Sequence, residues 1–156
     1  KGPLWGRLAS GETVVLDDGR SVRPEEVTLE SGPGTKIVYS GDTRPCSSLA
    51  NASKDADLLI CEAMYASDNA NLAHERGHMT AAQAATLARD SGVKHLALTH
   101  LSPRYDSVRG DPVLEDARAI FPDVILARDL LRLDIREGRM RVLSPRVPER
   151  TTDQLL

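Results

Sequence analysis

The amino-acid sequence predicts an α/β domain, and three observations carry that prediction. Three short runs, "KIVYSGD", "ADLLICEA" and "KHLALTH", are apolar enough to be strands covered by other elements. Helix starts with recognisable caps lie between and after them. Strand and helix then alternate along the chain, as they do when helices pack on a sheet. At 156 residues, 40% hydrophobic and 28% charged, the sequence fits one globular domain with a sizeable core. Aromatic residues make up only 3% of it, so that core must be built from Leu, Val, Ile and Ala.

The elements follow in order. Gly2, Pro3 and Gly6 make the beginning an irregular arm, after which "ETVVL" alternates like a half-buried strand. Asp18-Gly19 supplies the left-handed positions of a tight hairpin turn. "TLESGPGT" is a loop by composition, and "KIVYSGD" a buried strand that stops at Gly41, leaving Asp42 at a carboxyl end. "PCSSLANASKD" fits a short helix with Pro45 near its first turn. "ADLLICEA" is a strand covered on both faces, ending at Glu62. Thr80 and Gln83 form a capping box ahead of "AAQAATLARD", a helix that Gly92 terminates. "KHLALTH" is a third buried strand and ends at His100. After the loop "LSPRYDSVRG", Asp111 caps and Pro112 opens a helix that stops before Pro122. "DVILARD" and the hairpin-like "LLRLDIREGRMRVL" come next, and the tail "SPRVPERTTDQLL" is polar and loose.

Lys and Arg number 20 against 23 Asp and Glu, a net charge of −3 that offers no bulk attraction to nucleic acid or anionic membrane. Any polyanion must therefore meet a local basic patch. No apolar run approaches a membrane span and no charged-then-apolar leader opens the chain, so a cytoplasmic protein without membrane contact is expected. Cys46 and Cys61 lack ligand spacing and read as buried, reduced thiols. The chain starts on Lys1 and not on Met, as a piece of something longer would.

"HERGH", residues 74 to 78, matches the H-E-x-x-H pattern of helical zinc proteases. That chemistry needs both histidines one turn apart on a continuous helix, with a third ligand beyond. Gly77 falls between them, and the Thr80 capping box starts a new helix just after His78. The pattern is therefore read as coincidental, with His74 solvated and His78 on a loop.

In an open α/β sheet the loops at the carboxyl ends of the strands build the site. Three successive strands here end in Asp42, Glu62 and His100, with His78 on an adjoining loop. Two acids and two histidines at one sheet edge would suit metal binding or proton transfer. Taken singly, Asp42 and Glu62 also suit plain helix-cap or turn duty.

The motifs "GPLWGRL", "YSGDTRPC", "CEAMY", "GHMTAAQAA" and "LTHLSPRY", in that order and spacing, resemble the second half of ribonuclease Z, the tRNA 3′-processing endoribonuclease of the metallo-β-lactamase superfamily. The resemblance implies half of an αββα sandwich, with one mixed sheet and helices on one face. Residues 1–143 would be the C-terminal half of such a domain, with an arm end and hairpin at 1–30, and 144–156 the polar tail. It further implies two zinc ions in the complete site, with Asp42 bridging them and His100 a ligand of one. Glu62 and His78 would form a proton relay, and Arg44, Arg104 and Tyr105 would contact the substrate, a precursor tRNA.

The sequence departs from that family in lacking the H-x-H-x-D-H signature, which supplies most of the zinc ligands. Asp42 and His100 alone do not complete a four-coordinate zinc site. Activity of the isolated chain is thus not expected; the missing N-terminal half, or a second copy in a homodimer, would have to cover the sheet and complete the site. Cys61, Met64 and Met79 stand where the family usually has His, Thr and Ser. Two other readings stay open: another hydrolase on the same scaffold, phosphodiesterase or lactamase-like, and a metal-free interaction module that dimerises through its sheet.

Overall fold

The computed structural model describes residues 2–27, 34–105 and 111–143. It divides into two compact units, Lys1–Gly34 and Thr35–Leu156. In the first, helix α1 (Pro3–Ala9) precedes strands β1 (Val14–Val15) and β2 (Ser21–Val22), with the short helix α2 (Pro24–Val27) after them. The expected irregular arm is thus a helix. Proline is at home in a first turn, where its missing N–H has no partner to lose, and Gly6 does not break two turns. β1 and β2 pair antiparallel, Val14 facing Val22, and Gly19 takes the left-handed conformation, φ 83°, that the Asp18-Gly19 turn requires.

The second unit holds a four-stranded sheet in the order β3-β4-β5-β6, from Ile37–Tyr39, Leu58–Glu62, His95–Thr99 and Val124–Leu126. Helix α3 (Ser47–Ser53) joins β3 to β4 and α6 (Pro112–Arg118) joins β5 to β6. Between β4 and β5 run α4 (Ala70–Arg76) and α5 (Ala81–Asp90). All three strand pairings are parallel, which corrects the mixed sheet expected from the resemblance. The reason is local. Glu137 and Gly138, at φ 51° and 71°, make a two-residue turn that folds β7 (Arg132–Arg136) onto β8 (Arg139–Leu143), an antiparallel pair forming its own two-stranded sheet.

One face of the parallel sheet carries Leu59, Cys61, Leu96, Leu98 and Val124, packed in a single cluster with Ala81, Ala84, Ala85, Ala88, Val113 and Ala117 of α5 and α6. Alanines let α5 lie close to the strands, and each fully buried leucine contributes about 1.5–3 kcal/mol. β4 is covered on both faces, as its apolar run requires: Leu58 on the opposite face is as buried as Leu59. β3 is different. The strand read as buried is the edge of the sheet, with Ile37 and Tyr39 54% and 68% exposed.

The caps fall where the residues place them. Thr80 and Gln83 form the reciprocal capping box of α5, and the Asp111 carboxylate accepts from Leu114 N ahead of Pro112. Pro45 lies one residue before the Cys46 N-cap of α3, outside the helix. Cys61 is buried but Cys46 is exposed, against expectation, because a cap position sits at the surface; both are free thiols. Among the described residues no helix is long and apolar enough to cross a membrane. The tail 144–156 and most of the "TLESGPGT" loop lie outside the described residues.

Candidate metal centre

The carboxyl ends of three parallel strands and the loop after helix α4 bring the predicted residues together. Gly41, at φ 59°, turns the chain after β3 and sets Asp42 beyond it. Glu62 is the last residue of β4 and pairs in register with Thr99, so His100 leaves β5 beside it. His100 itself has φ 57°, an uncommon left-handed conformation for a residue with a side chain, with a cost of order 1–3 kcal/mol. α4 ends at Gly77, φ 82°, which hands the chain to His78 on the loop before α5. His74 is on the exposed surface of α4, so the two histidines of "HERGH" share no helix and the protease pattern is coincidental.

The Glu62 carboxyl group is 1% exposed and holds three donors. Its Oε1 accepts from Thr43 N at 2.6 Å and lies 3.0 Å from His78 Nδ1, while Oε2 accepts from Met79 N at 3.3 Å. The Glu62 amide is fixed in turn, donating to Ser40 Oγ at 3.0 Å. These contacts hold the His78 ring through its Nδ1 and leave Nε2 as its other ring nitrogen. The Tyr65 ring meets it edge-on at 6.3 Å between centroids, and the His100 ring lies 5.2 Å away.

Asp42 Oδ2 and His100 Nε2 are 3.5 Å apart, and one ligand atom from each of Asp42, His78 and His100 falls within 4.8 Å of the others. Two imidazoles and a carboxylate are the donor set of a catalytic zinc site, in which three protein ligands leave a fourth position open. Asp42 and His100 could supply two ligands of one divalent ion, with His78, held by Glu62, beside them. Among the described residues no further donor joins this group, so a second ion would need ligands from elsewhere.

The three predicted substrate contacts sit around this centre but are engaged by the protein. Arg44 Nε donates to the His74 carbonyl at 2.7 Å, capping the last turn of α4. Arg104 lies 5.2 Å from the centroid of the Tyr65 ring and donates to Asn69 Oδ1 at 3.1 Å. The Tyr105 hydroxyl accepts from Ala66 N at 2.9 Å, tying the 3₁₀ turn Pro103–Tyr105 to the segment that follows β4. Sequence reasoning passed over Tyr65, Thr43 and Ser40. All three lay inside quoted motifs, "CEAMY" and "YSGDTRPC", yet nothing in the sequence marks the Thr43 amide as a partner of Glu62.

Residues 17–101, more than half of the chain, match the family model of the beta-lactamase superfamily domain. The chain belongs to the beta-lactamase superfamily. This superfamily member is 46% identical over 134 residues to ribonuclease Z of Methanosarcina mazei, covering 86% of the chain and 43% of that relative. It is also 46% identical over 142 residues to ribonuclease Z of Brevibacillus brevis, covering 88% and 45%. Among solved structures it is similar to the metallo-beta-lactamase fold protein YhfI from Bacillus subtilis, at 30% identity and a TM-score of 0.52 over 59% of this chain and 36% of that one. The resemblance to ribonuclease Z and the α/β metallo-β-lactamase fold are thus borne out. The chain spans less than half the length of these curated relatives.

Proposed function

We propose that this chain supplies one side of the active site of a zinc-dependent endoribonuclease of the ribonuclease Z type, which hydrolyses the phosphodiester at the 3′ end of precursor tRNA in the cytoplasm. The observation that carries the reading is the packing of Asp42, His78 and His100 within 4.8 Å, with buried Glu62 behind His78. Similarity to two ribonucleases Z supports the substrate class. The missing ligands would come from the rest of a longer polypeptide or from a second copy.

In this mechanism Asp42 and His100 would hold the metal. Zinc, when bound, supplies Lewis acidity toward a phosphoryl oxygen. The remaining work belongs to the chain. Glu62 accepts from His78 Nδ1 and holds the ring in place, so that Nε2 can give a proton to the departing 3′ oxygen. The carboxyl group is itself immobilised by the Thr43 and Met79 amides, which keeps the imidazole from swinging out of line.

The test is a pair of substitutions in the complete enzyme, read by metal analysis and by cleavage of a precursor tRNA transcript. Asp42→Ala should lose zinc and activity together. His78→Ala should slow cleavage by about 10²–10⁴-fold, the range for a general acid, while zinc content holds. Strong zinc loss in His78→Ala would make that residue a ligand and overturn the relay.

A further inference from the structure

The β7–β8 hairpin carries a charge pattern that its own folding does not call for. On the face shared by Arg132, Asp134 and Arg136 of β7 and Arg139 and Arg141 of β8, four arginines surround one aspartate. Arg136 sits directly opposite Arg139 in the register, and like charges in that position repel. Asp134 offsets part of this, accepting from Arg136 Nε at 3.0 Å and standing opposite Arg141. Arg136, Asp134, Glu137, Arg139 and Arg141 line a shallow concavity of about 200 Å³. On the other face Leu133, Ile135 and Met140 are half-buried and Val142 is exposed.

The hairpin is held to the parallel sheet at its turn. His95 Nε2 lies 3.0 Å from the Gly138 carbonyl oxygen and His95 Nδ1 lies 2.9 Å from Asp123 Oδ2. His95 begins β5 and His100 follows its end, so the basic face and the metal centre are anchored at opposite ends of one strand, roughly 17 Å apart at about 3.3 Å per residue. A nucleic acid several turns long could meet both.

We propose that the arginine face of β7–β8 is a second contact surface for RNA, binding the sugar–phosphate backbone away from the reaction centre. The proposal rests on the RNA-processing reading above. In a chain with a net charge of −3, a polyanion needs a local concentration of guanidinium groups, and planar forks that pair with phosphate oxygens are what this face presents. The competing role is edge protection, since charged side chains also keep a two-stranded sheet from pairing with another chain.

The test measures binding of a fluorescein-labelled precursor tRNA transcript by anisotropy across a salt series, in EDTA so that no turnover occurs. The triple variant R136Q/R139Q/R141Q should lower the slope of log K against log salt by about 2–3 and weaken binding roughly tenfold or more near 0.1 M salt. R136K/R139K/R141K, which keeps the charge, should retain most of the slope. If the glutamine triple variant fails to fold, judged by circular dichroism, the single R139Q should still lower the slope by about 1. An unchanged slope in folded variants would overturn the proposal, as would arginine-dependent binding to phosphatidylserine vesicles with RNA affinity unaltered. An unchanged slope beside intact cleavage by the complete enzyme sinks the hairpin alone; a reduced slope without any cleavage sinks the nuclease reading alone.

Discussion

Replacing Glu62 by alanine should be among the most damaging single substitutions in this chain. The side chain is buried at the end of β4 and accepts from donors in two other segments, the Thr43 amide on the loop after β3 and the His78 ring and Met79 amide before α5. Removing it leaves two backbone amides and an imidazole nitrogen facing a cavity. An unsatisfied buried donor costs about 1–3 kcal/mol, and breaking a buried polar network typically costs about 3–5 kcal/mol, so the upper range applies here. For a domain of this size each kcal/mol lowers Tm by about 2–4 °C, which predicts a fall of roughly 10 °C. Glu62→Gln keeps the volume and one acceptor oxygen and should lose about half as much. Urea denaturation followed by circular dichroism measures both. A loss under about 1 kcal/mol in Glu62→Ala would mean that the three donors find other partners, and the network argued above would be wrong.

Four further outcomes are expected. Burial pushes the Cys61 thiol up to about 12, whereas the Ser48 hydroxyl beside Cys46 lowers that thiol from its ordinary value; iodoacetamide near pH 8 should modify the native protein at Cys46 alone, read by mass spectrometry. Because native Cys61 keeps its proton to higher pH than an unfolded thiol, its contribution to stability is complete below about pH 8.5 and is lost as pH rises from there toward about 12; denaturation midpoints should fall over that window, and less so in Cys61→Ala. Ser53 Oγ is buried without a partner, so Ser53→Ala should stabilise by about 1 kcal/mol in a urea titration, and destabilisation would show an unseen bond. Gly138→Ala puts a Cβ 2.6 Å from Lys94 Nζ at φ 71° and should cost about 1–2 kcal/mol, with faster amide exchange confined to β7–β8 as its signature.

Much of this organisation can be read from residues alone, where the signal is local. The T-x-x-Q box, the Asp111-Pro112 start, the Asp18-Gly19 turn and the apolar run of β4 each act within a few residues, and each lies where the sequence puts it. Local signals failed where a neighbour decides. "KIVY" has the composition of a buried strand, yet burial depends on what packs over each face of the sheet: at one edge Ile37 and Tyr39 of β3 are exposed, while at the other Val124 of β6 is buried. The same limit applies to "GPLWGRL", whose glycines and proline permit a loop but do not forbid two turns of helix.

By itself, the sequence determined which groups are available for chemistry: one carboxylate and one imidazole at the ends of β3 and β5, a glutamate ending β4, and a second histidine released from its helix by Gly77. Their identities are fixed by covalent structure, and their places at strand ends follow from short-range patterning. Only the tertiary structure decided that these groups meet. Parallel pairing of β3, β4 and β5 puts all three carboxyl ends on the same side, and the Glu62–Thr99 register sets the heights at which the side chains emerge. The bonds that join Arg44 to the His74 carbonyl and Tyr105 to the Ala66 amide were decided in the same way. Such hydrogen bonds join atoms 30 or more residues apart, and no local rule of chain conformation encodes them.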